Sequence, residues 1–175
     1  NRRAAYLPIG HRSGGAKESQ GALDLAGDGG GALLPDQLPI KTVLDKLKPL
    51  LEDPGVLKVG QNLKPNQWVL ERHGIAIAPV DDTMLLSFVL DGGKHSHALE
   101  DLAERYLEQK TLKFSDVAGS GAKQVTFDRV AIERAQEYAA QQADATMQLW
   151  ARFKPRLAAE HMVGMYETIE RPLIP

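Results

Sequence analysis

Three observations predict an α/β fold for this chain. Short apolar runs of strand length alternate with stretches whose apolar residues step by three and four, and polar or glycine-containing turns separate the two kinds. The composition, 43% hydrophobic and 25% charged, is that of an ordinary folded domain. A length of 175 residues predicts one domain with room for a real core.

Residues 4–9, Ala-Ala-Tyr-Leu-Pro-Ile, read as a strand ended by Gly10, with Pro8 placing it near an edge. Residues 13–38 form a Gly-rich stretch read as a flexible excursion; no Lys-Ser/Thr follows Gly31, so a phosphate cradle is not supported. Ile40, Val43, Leu44, Leu47, Leu50 and Leu51 repeat at helical spacing until Asp53-Pro54-Gly55, with Pro49 expected to bend the helix. Residues 56–60 are a second strand. The polar turn after it leads into a helix opening at Trp68 and ending at His73-Gly74, which puts the turn at the carboxyl end of the sheet, where α/β sites collect.

Residues 75–78 are a third strand candidate. Asp81-Asp82-Thr83 can cap the helix that runs through Phe88 to Leu90, and Leu99, Leu102, Ala103, Tyr106 and Leu107 mark the next. Residues 110–127 are expected as loop. Residues 132–150 are Ala-rich and free of Gly and Pro, so they form the strongest helix by propensity, expected to end near Pro155. Tyr138 shares its inward stripe with Ile132, Ala135 and Ala139, as a core aromatic or as a phenol facing a cleft.

The absence of Cys excludes thiolate catalysis, Cys-ligated zinc and disulfides, and agrees with a cytoplasmic location. A formal net charge of −2 advertises no nucleic acid, so any such binding must come from a local groove. No apolar run approaches the ~20 residues that span a bilayer, and no membrane partner is expected. His95 and His97 can pair on a metal but lack a third nearby ligand in the sequence; Glu100, Asp101 and Glu104 read as a solvated helix face.

Five blocks of the sequence bear on function together: residues 56–70, Asp81-Asp82-Thr83-Met84-Leu85, residues 97–107, Phe114-Ser115-Asp116-Val117-Ala118-Gly119 and residues 125–149. In order and spacing they resemble the 3′–5′ exonuclease (proofreading) domain of bacterial DNA polymerase I, a family A DNA polymerase. Residues 166–175 are similar to the segment with which that family enters its polymerase domain. The resemblance implies a ribonuclease H-like fold and removal of nucleotides from a DNA 3′ end by two divalent metals, Mg²⁺ or Mn²⁺. Such a pair sits ~4 Å apart and clamps the scissile phosphate, and it requires hard oxygen ligands. The family supplies them as an Asp-x-Glu on its first strand, the Asp closing Asn-x-x-x-Asp and the Asp closing Tyr-x-x-x-Asp.

This sequence departs from that pattern. It has no Asp-x-Glu on a leading strand, because the match starts at what corresponds to the family's third strand, so the fold is expected to be incomplete at the N-terminus. In Asn62-Leu63-Lys64-Pro65-Asn66 the metal position is Asn66; in Tyr138-Ala139-Ala140-Gln141-Gln142 it is Gln142. Asp144 comes two residues later, a turn of about 200° around the helix. A unit charge ~4 Å from another is worth on the order of 4 kcal/mol at an effective dielectric of 20, and about double against a divalent ion. Amides forgo that attraction, so no catalytic metal or other cofactor is expected and Tyr138 would be vestigial.

Binding can outlast chemistry. By resemblance Gln61 and Asn62 approach the terminal nucleotides, Phe114 packs against them, and Lys64 can meet a phosphate, giving weak affinity for a DNA 3′ end or single strand. The expected organisation is an exonuclease-like domain over 1–160 and a connector over 161–175 toward a polymerase domain, in cis or in trans. Two other functions stay open: an active two-metal proofreading exonuclease, and a protein-interaction domain without nucleic-acid binding.

Overall fold

The computed structural model describes residues 3–13 and 31–174. Helix α1 (Ile40–Glu52) is followed by strand β1 (Lys58–Gly60), α2 (Lys64–Glu71), β2 (Val80–Asp82), α3 (Thr83–Asp91), α4 (Leu99–Leu107), α5 (Phe114–Ala118) and the long α6 (Ile132–Ala159). The chain then closes through the short α7 (Val163–Met165), a π turn at Tyr166–Glu170 and a 3-10 turn at Arg171–Leu173. Among the described residues the sheet has two strands, parallel, with Lys58 opposite Val80 and Gly60 opposite Asp82.

The core lies between α3, α4, α6 and the closing segment. Leu86, Val89 and Leu90 meet Leu99 and Leu102, and Leu149, Phe153, Leu157 and Tyr166 cover them. Fully burying an aliphatic side chain of this kind contributes roughly 1.5–3 kcal/mol. These contacts carry α6 past Pro155, beyond its expected end, because Phe153 and Leu157 are buried on either side of the proline.

Two adjacent carboxylates fix the sheet, by different means. Asp82 caps α3, its Oδ1 accepting from Met84 N–H at 2.9 Å, and it also accepts the N–H groups of Asn62 at 2.9 Å and Leu63 at 2.7 Å. One side chain therefore starts α3 and shapes the turn into α2. In that turn Asn62 adopts φ 51°, and a Cβ on Gly60 would collide with Leu63. Asp81 does not cap. It is fully buried, accepting from Trp150 Nε1 at 2.8 Å and Tyr166 OH at 3.1 Å, with Lys154 Nζ at 3.1 Å. A buried carboxylate needs such pairing, since its desolvation would otherwise dominate.

The structure corrects several expectations. Residues 4–9 form no strand, and Tyr6 instead turns its hydroxyl to the ring of buried His11. Residues 75–78 also form none. They alternate in burial as a strand would, but their main-chain donors go to helix ends: Ile75 N–H to Leu70 O, Ala76 N–H to Glu52 and Ala78 N–H to Leu51 O. The strand begins later, at Val80. Helix α2 starts at Lys64 rather than Trp68, with Pro65 in its first turn, where a missing N–H costs nothing. The expected loop at 110–127 contains α5 and two 3-10 turns.

Residues 161–175, expected as a connector, are folded into the domain as far as Ile174: Tyr166 and Ile174 are buried and Arg171 donates to Val80 O at 2.9 Å. Of the Gly-rich stretch, 14–30 lies outside the described residues. The positions flanking it are held together, Ser13 N–H donating to Ala32 O at 2.8 Å and the Gln37 amide bonding both the N–H and C=O of His11.

Candidate nucleic-acid interface

The residues singled out from the sequence fall into two groups. The first surrounds the loop before α5. Leu112 in that loop is gripped by two neighbouring side chains of α6: Gln141 Oε1 accepts its N–H at 2.9 Å, and Gln142 Nε2 donates to its C=O at 3.2 Å. Two residues on, Phe114 stands at the start of α5, 38% exposed, stacked on Phe127 at 6.2 Å and edge-on to Tyr138 at 6.3 Å. Phe127 and Tyr138 complete the triangle at 5.8 Å. Burial, reinforced by the Glu100 carboxylate, pushes the Tyr138 phenol above its ordinary pKa, so it is neutral. Tyr138 is thus a half-buried member of an aromatic cluster whose Phe114 edge faces solvent.

The second group lies at the carboxyl end of β1. Gln61 is engaged at both ends of its amide, Nε2 donating to His97 O at 2.8 Å and Oε1 accepting from Thr83 at 2.5 Å. Asn62 is tied through its main chain to Asp82 while its side chain is exposed. Lys64 Nζ donates to Leu173 O at 3.0 Å, and Asn66 lies on the exposed side of α2. Tyr138 and Gln142 of α6 and Phe114 of α5 are therefore brought together around that loop, whereas Gln61 is held by Thr83 and His97, Asn62 by Asp82 and Lys64 by the closing segment.

A two-metal centre needs anionic oxygens, and the resemblance assigns two of its ligand positions to Asn66 and Gln142. Both offer neutral amides, and Gln142 turns its donor toward a carbonyl, so these residues do not fit a metal pair. Asp144 is engaged with Gln148 Nε2 at 2.8 Å. Among the described residues no three His, Asp or Glu side chains converge as ligands, and His95 and His97 lie with rings 5.1 Å apart, bonded to Tyr106 and Ser87. No helix of the described residues is long and apolar enough to cross a membrane.

The model of a family described as 3′–5′ exonuclease matches residues 13–158. The chain belongs to the 3′–5′ exonuclease family. It is 47% identical over 173 residues to DNA polymerase I of Rhizobium leguminosarum, covering 99% of this chain and 16% of that protein. To DNA polymerase I of Pseudomonas aeruginosa it is 41% identical over 176 residues, covering 98% and 17%. The chain thus spans about a sixth of the length of these relatives. The structure of the POL domain of Pol1 from M. smegmatis in complex with DNA primer-template and dNTP superposes with a TM-score of 0.61 at 22% identity, covering 84% of this chain and 22% of that one. That likeness establishes the fold, a ribonuclease H-like 3′–5′ exonuclease fold represented here by its two parallel strands and their helices.

Gln141, the Leu112 main chain and Phe127 are members of the site that sequence reading missed. Phe127 carries an aromatic signal. Gln141 is the neighbour of a position the resemblance singles out, but nothing in spacing reveals that the two amides close on the main chain of one residue about 30 positions away.

Proposed function

We propose that this exonuclease-family chain is a nucleic-acid-facing structural module of a DNA polymerase I-type protein, with the metal-dependent hydrolytic step lost. On this reading residues 1–160 are the exonuclease-like unit, and 161–175, packed against it as far as Ile174, lead toward a polymerase unit, in cis or in trans. The observation that carries it is Gln142 donating to Leu112 O: the side chain at the family's metal position is an amide used as a donor, and a carboxylate could not make that bond. Asn66, the other aligned position, is equally uncharged.

What remains suits weak contact with a DNA 3′ end or single strand. Phe114 offers an exposed ring backed by Phe127 and Tyr138, and Lys110 and Lys113 stand exposed beside it. Stacking supplies about 1–3 kcal/mol per base, and phosphate contacts weaken with salt. Asn62 extends the same reading at the end of β1, while Gln61 and Lys64 would first have to leave protein partners.

The test is incubation of a labelled single strand with Mg²⁺ or Mn²⁺, alongside fluorescence anisotropy of the same oligonucleotide at low and high salt. Salt-sensitive binding without hydrolysis supports the module. Metal-dependent shortening from the 3′ end that Tyr138→Phe abolishes restores the active exonuclease, and absence of any binding favours a protein-interaction domain.

A further inference from the structure

His11 is the buried histidine that none of the expected sites used. It is 3% exposed, and both ring nitrogens are engaged, Nδ1 3.0 Å from Val130 O and Nε2 2.5 Å from Tyr6 OH. A carbonyl oxygen only accepts, so Nδ1 carries a proton and donates. Arg12 repeats the attachment through its main chain, its N–H donating to Asp128 O at 2.8 Å. Residues 11 and 12 therefore hold the 3-10 turn Phe127–Arg129 at two points, inside it at Asp128 and just past its end at Val130. Gln37 bonds both main-chain groups of His11 and keeps this grip in register. The turn carries the middle ring of the aromatic cluster: Phe127 meets the His11 ring at 6.1 Å, as well as Phe114 at 6.2 Å and Tyr138 at 5.8 Å.

We infer that His11 is a positioning residue for nucleic-acid contact at Phe114, a role that rests on the reading of Phe114 as a stacking surface. Phe114 and Tyr138 are carried by α5 and α6, but Phe127, on which Phe114 stacks, is carried by the turn that residues 11 and 12 hold. The Val130 bond fixes where that turn lies, and the imidazole packs on the Phe127 ring. An aromatic surface ordered in advance spares the cost of ordering it when a base arrives. His11 thus prepares a contact to which, being buried, it adds no surface of its own.

The test is fluorescence anisotropy of the whole chain with a short single-stranded oligodeoxyadenylate and with the same strand carrying abasic sites in place of its bases, each over a range of salt. Stacking of one base should make the wild type prefer the strand with bases by roughly five-fold or more. His11→Leu fills the space without a donor and should bring that preference below about two-fold, while the salt slope, set by the exposed Lys110 and Lys113, stays as it was. A merely structural loss would weaken both strands alike. His11→Asn, whose Nδ2 can donate where Nδ1 did, should restore part of the preference. Tyr6→Phe, which loosens the ring at Nε2 alone, repeats the test in a chain that keeps its buried imidazole and should lose less. Without DNA, the Phe114 and Phe127 ring resonances should shift in both His11→Leu and Tyr6→Phe while those of Phe153, in the other core cluster, hold still. Undiminished base preference in His11→Leu and Tyr6→Phe, or unmoved Phe114 and Phe127 rings, overturns this role of His11 and leaves the DNA contact standing. Failure of the wild type to bind either strand removes the contact and the role together.

Discussion

Gln142 Nε2 donates to the main-chain oxygen of Leu112 at 3.2 Å while its neighbour Gln141 accepts the N–H of the same residue at 2.9 Å. The pair closes on both main-chain groups of one residue as a strand partner would and anchors the α5 loop to α6. The Gln142 amide is therefore part of the fold, with a donor that a carboxylate lacks.

Gln142→Asp should lower stability by about 0.5–1.5 kcal/mol, the range for losing one ordinary hydrogen bond, because Gln142 and Leu112 are partly buried. It should not by itself create stoichiometric Mn²⁺ binding, because Asn66 stays neutral. Urea unfolding checks the first expectation and metal titration of the variant the second.

Asp82→Ala removes three main-chain partners at once: Met84, Asn62 and Leu63. The cap alone is worth about 0.5–2 kcal/mol, so a loss of roughly 3 kcal/mol is expected in urea. Asp82→Asn, which keeps one acceptor oxygen, should lose less.

Tyr166→Phe deletes a hydroxyl that donates to Asp81 and accepts the N–H of Asp82. The expected loss is about 1–3 kcal/mol, with faster amide exchange over the closing segment than over α4. Equal exchange changes in both regions would show that the hydroxyl does not selectively hold that segment.

Acid should weaken the fold. In Glu167, burial raises the carboxyl, but hydrogen bonds from Arg171 and Lys154 pull it lower, and Asp91 is depressed in the same way by Arg156, Lys94 and Tyr106. A carboxyl depressed in the folded state stabilises above its unfolded pKa and loses that contribution as pH falls through the folded one. The melting temperature should therefore drop below about pH 4, the ordinary range of these groups, and less steeply in Asp91→Asn.

Local chemistry made part of this legible in the sequence. The Ala-rich run at 132–150 gave α6, and Asp82 before Thr83 gave its cap to α3. Residues 75–78 misled because burial alternation does not report where main-chain donors go, and theirs go to helix ends. Asp81 was read with Asp82 as a cap because its real partners, Trp150 and Tyr166, lie 69 and 85 residues away. The assignment of Asn66 and Gln142 to metal positions rests on the resemblance, whereas the grip on Leu112 depends on tertiary folding alone.

We propose that an exonuclease-family fold persists here without its metal pair. Isothermal titration of Mn²⁺ into the chain, with and without a short single-stranded DNA, tests it most directly. The expected result is no stoichiometric binding in either condition. Tight binding of two ions per chain, abolished by Asp144→Ala, would contradict the account and return the enzyme.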